Sequence, residues 1–326
     1  MRLGRAWLVG LALVLTSTNA LAQAQSGAYP SRAVRLIVPY GPGGVSDIMG
    51  RVVAQKMSEL LGQPMVVENR PGAGGMLGTG LVAKATPDGY TIVLSSLSAY
   101  AIGPKLVKTS PYDPVNDFTA IGGVAIAPTI LTVNVSTPFQ TLQDVIAYAK
   151  ANPGKLSYGS SGIGSVGHIS GEVLRASTGV DLLHIPYKSA AQAYPDVISG
   201  SVSMVFDALP SAIQYIKSGK VRPIAMMSDR RASLLPDVPT FAEAGYPEAT
   251  LRLWVALHGP PDLPPAIVQK LNDTLAKALA ATDLRERFSA VGADPFPTTP
   301  RELADLTRAD VERLAKTLAA AGIKPE

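Results

Sequence analysis

The chain has 326 residues, with 29 Lys and Arg against 25 Asp and Glu, and no cysteine. The missing thiols exclude disulfides, zinc–thiolate sites, thiol nucleophiles and a lipidated N-terminal cysteine. The charges are interspersed at a formal net +4, without the concentrated basic run that nucleic acid or an anionic membrane surface requires, whereas a small acidic solute needs only a local site.

Arg2 and Arg5 form a basic n-region, residues 6–15 an apolar stretch too short to span a bilayer comfortably, and Ala20-Leu21-Ala22 an A-x-A cleavage signal. Residues 1–22 are therefore expected to be a signal peptide cleaved after Ala22. The polar Thr16-Ser17-Thr18-Asn19 argues against a retained anchor. Export through a bacterial-style leader points to the periplasm. Without Arg2 and Arg5 the balance is 27 basic against 25 acidic, or +2. About 300 remaining residues suggest two domains.

The mature chain opens with alternating elements. A strand is predicted at 34–38, a helix at 47–61 stopped by Gly62, a strand at 65–67, a helix at 77–85 and a strand at 90–94. This βαβαβ order implies a parallel sheet with right-handed crossovers. Next come strands at 121–124 and 129–135, then a helix opened by the capping box Thr141-Leu142-Gln143-Asp144. Strands follow at 156–158, 182–186, 202–206 and 221–227, separated by helices at 166–177, 190–199 and 210–218. A strand at 252–257, a helix at 265–280 and a last helix from the Thr299 cap to Ala321 close the chain.

Two turns stand out. Val38-Pro39-Tyr40-Gly41-Pro42-Gly43-Gly44-Val45-Ser46-Asp47 leaves the first strand and enters a helix, and Gly159-Ser160-Ser161-Gly162-Ile163-Gly164-Ser165 does the same in the second unit. A strand that runs through glycines into a helix N-terminus aims backbone N–H groups at one point, where an anion belongs. An ordinary tight turn, or a serine cap, would use the same residues. Gly162-x-Gly164-x-x-Gly167 also fits a dinucleotide pattern. The preceding strand is short and polar, unlike the apolar first strand of such a site. No G-x-S-x-G elbow exists, and the three histidines, His168, His184 and His258, assemble no catalytic set. His168, four residues before Glu172, could form a helical metal pair with it, but the sequence places no further ligand, which favours a structural hydrogen bond. Asp47 can cap its helix or reach the cleft. Asp207, ending a strand, can meet a ligand amino group, fix a water or cap a helix. Lys188 is either a carboxylate partner or a solvated surface residue. Ser95, Ser96 and Ser98 follow the third strand at the same end of the sheet.

From Tyr29 onward the chain resembles the substrate-binding receptors of tripartite tricarboxylate transporters, the Bug-type periplasmic receptors. The resemblance rests on Tyr29-Pro30-Ser31-Arg32, the 39–47 turn, Val66-Val67-Glu68-Asn69-Arg70-Pro71-Gly72-Ala73-Gly74-Gly75 and Pro87-Asp88-Gly89-Tyr90-Thr91. Tyr112-Asp113-Pro114, Tyr158-Gly159-Ser160-Ser161-Gly162, Pro186-Tyr187-Lys188 and Leu235-Pro236-Asp237-Val238-Pro239-Thr240-Phe241-Ala242-Glu243-Ala244-Gly245 continue it in order. It implies an α/β Venus-flytrap fold of the periplasmic-binding-protein class, with two α/β lobes around a cleft. It implies capture of a small carboxylate (a di- or tricarboxylate, an aromatic acid or an acidic amino acid) without chemistry, by a monomer serving membrane permease subunits. A sensor kinase as the partner, or an exported carboxylate-acting enzyme, are the alternatives. No cofactor, metal, catalytic set or nucleic-acid partner is expected. Lobe 1 is placed at 28–124 and 229–295, lobe 2 at 125–228, and a C-terminal helix on one lobe at 296–326. The family's first-lobe turn, which holds a distal carboxylate partly through water, carries onto Tyr40, Gly43, Gly44 and Asp47. Its second-lobe turn, for the proximal carboxylate, carries onto Ser160, Ser161, Gly164 and Ser165. The loop after the third strand carries onto Ser95, Ser96 and Ser98, and the strand-end aspartate onto Asp207. Ser189 stands where the family usually has glycine, and Ile163 and the 96–100 loop are individual.

Overall fold

The computed structural model describes residues 29–320. The expected signal peptide and cleavage site lie outside the described residues, as do Ala321 and Gly322. Strand β1 (Val34–Val38) is buried except at Arg35, the apolar run of a parallel strand covered on both faces. Helix α1 (Val45–Leu61) buries Met49, Val53 and Met57, four apart on one face, and ends where Gly62 takes a left-handed φ of 70° and donates its N–H to the Ser58 carbonyl. Each such buried side chain contributes roughly 1.5–3 kcal/mol relative to leaving it in water.

β2 (Met65–Asn69), α2 (Met76–Ala83) and β3 (Thr91–Ser96) complete the first unit. β1 pairs in parallel with both β2 and β3. The chain then runs through β4 (Thr119–Asn134), α3 (Leu142–Ala151), β5 (Leu156–Ser160), α4 (Val166–Thr178) and β6 (Leu182–Pro186). α5 (Tyr194–Ser199), β7 (Met204–Ala208), α6 (Leu209–Lys217) and β8 (Val221–Met226) follow. β9 (Arg252–Gly259), α7 (Pro265–Ala280), α8 (Thr282–Ala290), β10 (Asp294–Pro295) and α9 (Pro300–Ala320) end the described chain.

The two strands expected at 121–124 and 129–135 are one strand of 16 residues. Gly122, Gly123 and Pro128 weaken its sequence signal, but β4 is held because it serves both lobes. Residues 119–128 pair with β9, whereas 129–133 pair with β7 and 130–134 with β8. Pro128, which has no N–H to donate, sits where the partner changes. The continuous order is β2-β1-β3-β9-β4-β7-β5-β6, with β8 and β10 also on β4. The α8 helix was not expected, because Leu284 and Phe288 are its only buried residues.

The predicted capping box forms, and the Thr299 cap proves to be a second one. Thr141 accepts from the Asp144 N–H while Asp144 accepts from the Thr141 N–H. Thr299 and Glu302 exchange the same pair of bonds at 3.2 and 2.8 Å. α9 packs on β4 and on the 98–102 segment, where the Trp254 indole donates to Asp310 at 2.8 Å. No helix of the described residues is long and apolar enough to cross a membrane.

Candidate functional site

In parallel α/β sheets the loops at the carboxyl ends of the strands build the ligand site. Here the ends of β1, β3, β5 and β7 meet in one cavity between the lobes. The first lobe supplies Tyr40, Gly44, Val45, Ser46, Ser96 and Ser98; the second supplies Ser161, Val166, Gly167, Ser189 and Asp207; Leu253 of β9 closes one wall. Among the described residues that line it, none is Lys or Arg.

Positive potential comes instead from helix ends. α1 begins at Val45 behind its cap Gly44, and α4 begins at Val166 behind its cap Ser165. The opening residues of both helices line the cavity. The first N–H groups of a helix have no intrahelical acceptor, and the helix dipole adds about half a positive charge there. Two helices of 17 and 13 residues, one from each lobe, thus point this end at a common space.

Hydroxyls supply the remaining donors. The Tyr40 hydroxyl lies 2.8 Å from Ser96 Oγ and 3.0 Å from Ser98 Oγ, which are 2.7 Å from one another. Burial raises the Tyr40 phenol above its usual range, against the lowering effect of both serines, so it stays protonated. Ser46 Oγ is fully buried, lines the cavity and has no hydrogen-bond partner. An unmet buried hydroxyl costs about 1–3 kcal/mol, which a ligand oxygen would relieve.

The other sequence-predicted residues sit behind this surface. Asp47 accepts from the Gly43 N–H at 3.0 Å, the Asn69 amide at 2.9 Å and Arg51 at 2.9 Å. Burial works to raise its pKa, but those three partners outweigh it and hold the carboxyl below the usual range. Gly43 therefore directs its N–H to Asp47 rather than into the cavity. Ser95 Oγ meets Thr79 at 3.0 Å. Ser160 Oγ lies 2.6 Å from His184 Nε2 and accepts from the Gly162 N–H at 3.0 Å. Ser165 caps α4 by accepting from the His168 N–H at 3.3 Å, and the Gly164 N–H donates to His168 Nδ1 at 3.1 Å. His168 and His184 are stacked with ring centroids 4.4 Å apart. Burial first, and its stacked neighbour second, push His184 down to about 4. Glu172 accepts from Tyr158 and Arg175. His258 packs 4.1 Å from the Tyr100 ring centroid, and burial pushes its pKa down to about 3.

Asp207 does line the cavity. It accepts from the Ala208 N–H at 2.8 Å and from the Ser211 hydroxyl. Burial raises its pKa to about 7 despite those two donors, so near neutrality it can either donate or accept.

The lobes touch around this space. The Gly41 N–H donates to the Lys188 carbonyl at 2.9 Å, and Ser189 Oγ donates to the Pro42 carbonyl at 3.3 Å. The Lys188 side chain is exposed and off the cavity wall. A Cβ on Gly74 would fall 1.9 Å from the Ile163 carbonyl oxygen, and one on Gly164 2.9 Å from Gly103 Cα.

Sequence reasoning missed Ser46, Val166, Gly167 and Leu253 as cavity residues and singled out Ser189 only as a departure. A hydroxyl inside the first turn of a helix beside Asp47 was a usable signal for Ser46. Leu253 had none, since β9 reaches the cavity from far along the chain.

Comparison with known proteins agrees with this architecture. Residues 49–323 match the tripartite tricarboxylate transporter family receptor. BugT of Bordetella pertussis is 35% identical over 318 residues, covering 97% of this chain and 98% of BugT. The solved structure of R. palustris Rpa4515 with adipate is similar at a TM-score of 0.88 and 34% identity, covering 91% of this chain and 100% of that one. MatC from Rhodopseudomonas palustris with bound malate gives 0.86 and 31%, covering 89% and 100%. With the family matched across most of its length and the fold shared, this chain belongs to the tripartite tricarboxylate transporter receptor family, the Bug-type solute-binding proteins.

Proposed function

We propose that the protein captures a small dicarboxylate in the periplasm and hands it to the membrane permease of a tripartite-type transporter, without chemical change. The observation that carries this reading is the meeting of two helix N-termini, one from each lobe, in a single hydroxyl-lined cavity. One such end suits one carboxylate; two facing ends suit a ligand charged at both ends. Val45, Val166, Phe206 and Leu253 offer apolar surface for the methylenes between. The adipate and malate named for the two structural neighbours are ligands of this kind.

In this reading Tyr40, Gly44, Ser46, Ser96 and Ser98 hold the distal carboxylate, and Ser161 with the start of α4 holds the proximal one. Gly43, Asp47, Ser160, Gly164 and Ser165 act by shaping the two turns, and Ser95 ties the end of β3 to α2 through Thr79. Asp207 faces the ligand and favours one that carries a hydroxyl or amino group, which keeps hydroxy acids and acidic amino acids in the set. The lobe boundary belongs at Pro128, where β4 changes partner. The basic, apolar and A-x-A segments of residues 1–22 supply the export route.

A thermal-shift screen of the purified mature protein tests this. Ligand bound to the native state stabilises it by about 2.7 kcal/mol at 100 times Kd. Adipate, malate or another dicarboxylate is expected to raise the melting temperature by several degrees. No shift with any dicarboxylate, tricarboxylate, aromatic acid or acidic amino acid, or a product formed on incubation, contradicts the proposal.

A further inference from the structure

The second-lobe turn holds its shape through groups that never reach the cavity. Gly162 and Gly164 both take positive φ, 105° and 80°, so the peptides between them are not fixed by steric preference alone. Side-chain bonds fix them, together with the Ser165 N–H, which donates to the Gly162 carbonyl at 3.1 Å. Ser160 Oγ accepts from the Gly162 N–H, and the same hydroxyl meets His184 Nε2 at 2.6 Å. The Gly164 N–H donates to His168 Nδ1.

Proton bookkeeping decides the state of His168. An Nδ1 that accepts from Gly164 carries a lone pair, so His168 is neutral with its proton on Nε2. Ser160 Oγ accepts from the Gly162 N–H, and its own hydrogen has two acceptors in reach, the Gly162 carbonyl at 3.3 Å and His184 Nε2 at 2.6 Å; burial keeps His184 neutral in either arrangement. The two rings stack at 4.4 Å with 27° between planes, and Tyr158 continues the stack at 4.9 Å from His184. Tyr158 is anchored through its hydroxyl to Glu172 Oε1 at 2.9 Å. A ladder of three aromatic rings, from β5, β6 and α4, thus ends in two hydrogen bonds onto one loop.

That loop meets two surfaces. Ser161 faces the cavity. Ile163 and Gly164 press against Gly74 and Gly103 of the other lobe, close enough that a Cβ on Gly74 or Gly164 would collide. A peptide plane turned at Gly164 would disturb both at once.

We infer that His168, with His184 stacked on it, is a positioning residue for carboxylate capture: its neutral Nδ1 sets the Gly164 peptide, and through it the loop that both holds the ligand and seats on the opposite lobe. This rests on the receptor reading given above. It also explains why the Gly164 N–H, which the sequence pattern assigns to the ligand, is turned away from it.

Two substitutions separate positioning from packing. In His168→Asn the side-chain oxygen occupies the place of Nδ1 and still accepts from Gly164. In His168→Phe the ring and its stack remain but the acceptor is gone. Amide hydrogen exchange at Gly164, read by NMR on the full mature chain, is expected to speed by roughly tenfold in His168→Phe and by less than about threefold in His168→Asn, the size of one lost hydrogen bond. The Kd for adipate, measured by calorimetry, is expected to follow the same order, about tenfold weaker in the first and near wild type in the second. Should His168→Phe not fold, His168→Ala removes the same acceptor and is read in the same way. Equal Gly164 exchange in wild type and the acceptor-free variant, or equal loss in both substitutions, overturns the inference. If the wild type binds no adipate or malate, the receptor reading fails, and the Gly164 exchange alone then decides whether the imidazole sets the loop.

Discussion

The two jaws of the cavity share one sequence grammar and differ in what holds them. Each is a strand, a glycine turn and a helix N-terminus. The first turn is fixed by a charged group, Asp47, which ties Gly43 to Asn69 and Arg51. The second is fixed by two neutral imidazoles, which tie Ser160 and Gly164. Both helix ends face the cavity, but α1 carries Asp47 in its first turn and α4 carries no acidic residue there. The means of keeping each turn in shape differ as well, and the difference shows itself under mutation and pH.

The largest effect is expected where the jaws meet. Gly74→Ala places a Cβ against the Ile163 carbonyl oxygen, at a backbone φ of 62° that already disfavours side chains. A contact that opposes closure without touching the ligand is expected to weaken adipate binding by about 100-fold or more, which is roughly 2.7 kcal/mol. Calorimetry reads this, and an unchanged affinity would show that the contact between lobes does not form in the bound state.

Next is Asp47→Ala, which leaves the Gly43 N–H without its acceptor and Arg51 with only its bond to the Asn69 side-chain oxygen. Loss of a buried charged acceptor costs about 1.5–3 kcal/mol, so the melting temperature of the ligand-free protein is expected to fall by several degrees and affinity by about tenfold. The pKa of Asp47 is lowered in the folded protein. Its stabilisation is therefore present above the unfolded value near 4 and is lost as pH falls through the folded value. The first jaw should hold down to about pH 4.

Two groups of the second lobe titrate earlier and with opposite signs. His184 goes from about 6.5 unfolded to about 4 folded, so the stability it supports is lost as pH falls between those values. Asp207 goes from about 3.9 unfolded to about 7 folded, so its contribution is fully present below pH 4 and is lost as pH rises to 7. At about 1.4 kcal/mol per unit, each is worth a few kcal/mol at most, and they oppose one another. Asp207→Asn should therefore raise stability at pH 8 and uncover acid destabilisation between pH 6.5 and 4. Chemical denaturation across that range checks it; a variant with the same pH profile as wild type would refute the assignment to Asp207.

The smallest effect belongs to Tyr40→Phe. It removes one of three mutually bonded hydroxyls, so about 0.5–1.5 kcal/mol of affinity, or roughly threefold to tenfold, is expected to go. A larger loss would mean that Tyr40 donates directly to the ligand with no substitute from Ser96 or Ser98.

Most of the fold was legible in the sequence because apolar periodicity and caps agree with the final packing. β1, β6 and α7 run as expected from pattern alone. β4 was not, since its coherence comes from pairing with four other strands rather than from its own residues. The site was half legible. Glycine turns announce helix N-termini, and these do line the cavity. Which polar atom faces the ligand and which holds the turn depends on partners distant in sequence, such as Asn69 for Asp47 and His184 for Ser160. Ser161 and Ser160 are adjacent and alike in sequence, yet one faces the cavity and the other the imidazole stack.

The central claim is that two facing helix ends hold a ligand charged at both ends. Calorimetric titration of the mature protein with adipate and with hexanoate, equal in length but charged at one end, tests it most directly. A charge-assisted hydrogen-bond set is worth about 1.5–3 kcal/mol, so adipate is expected to bind at least about tenfold tighter. Equal affinity for the two acids would contradict the two-jaw account.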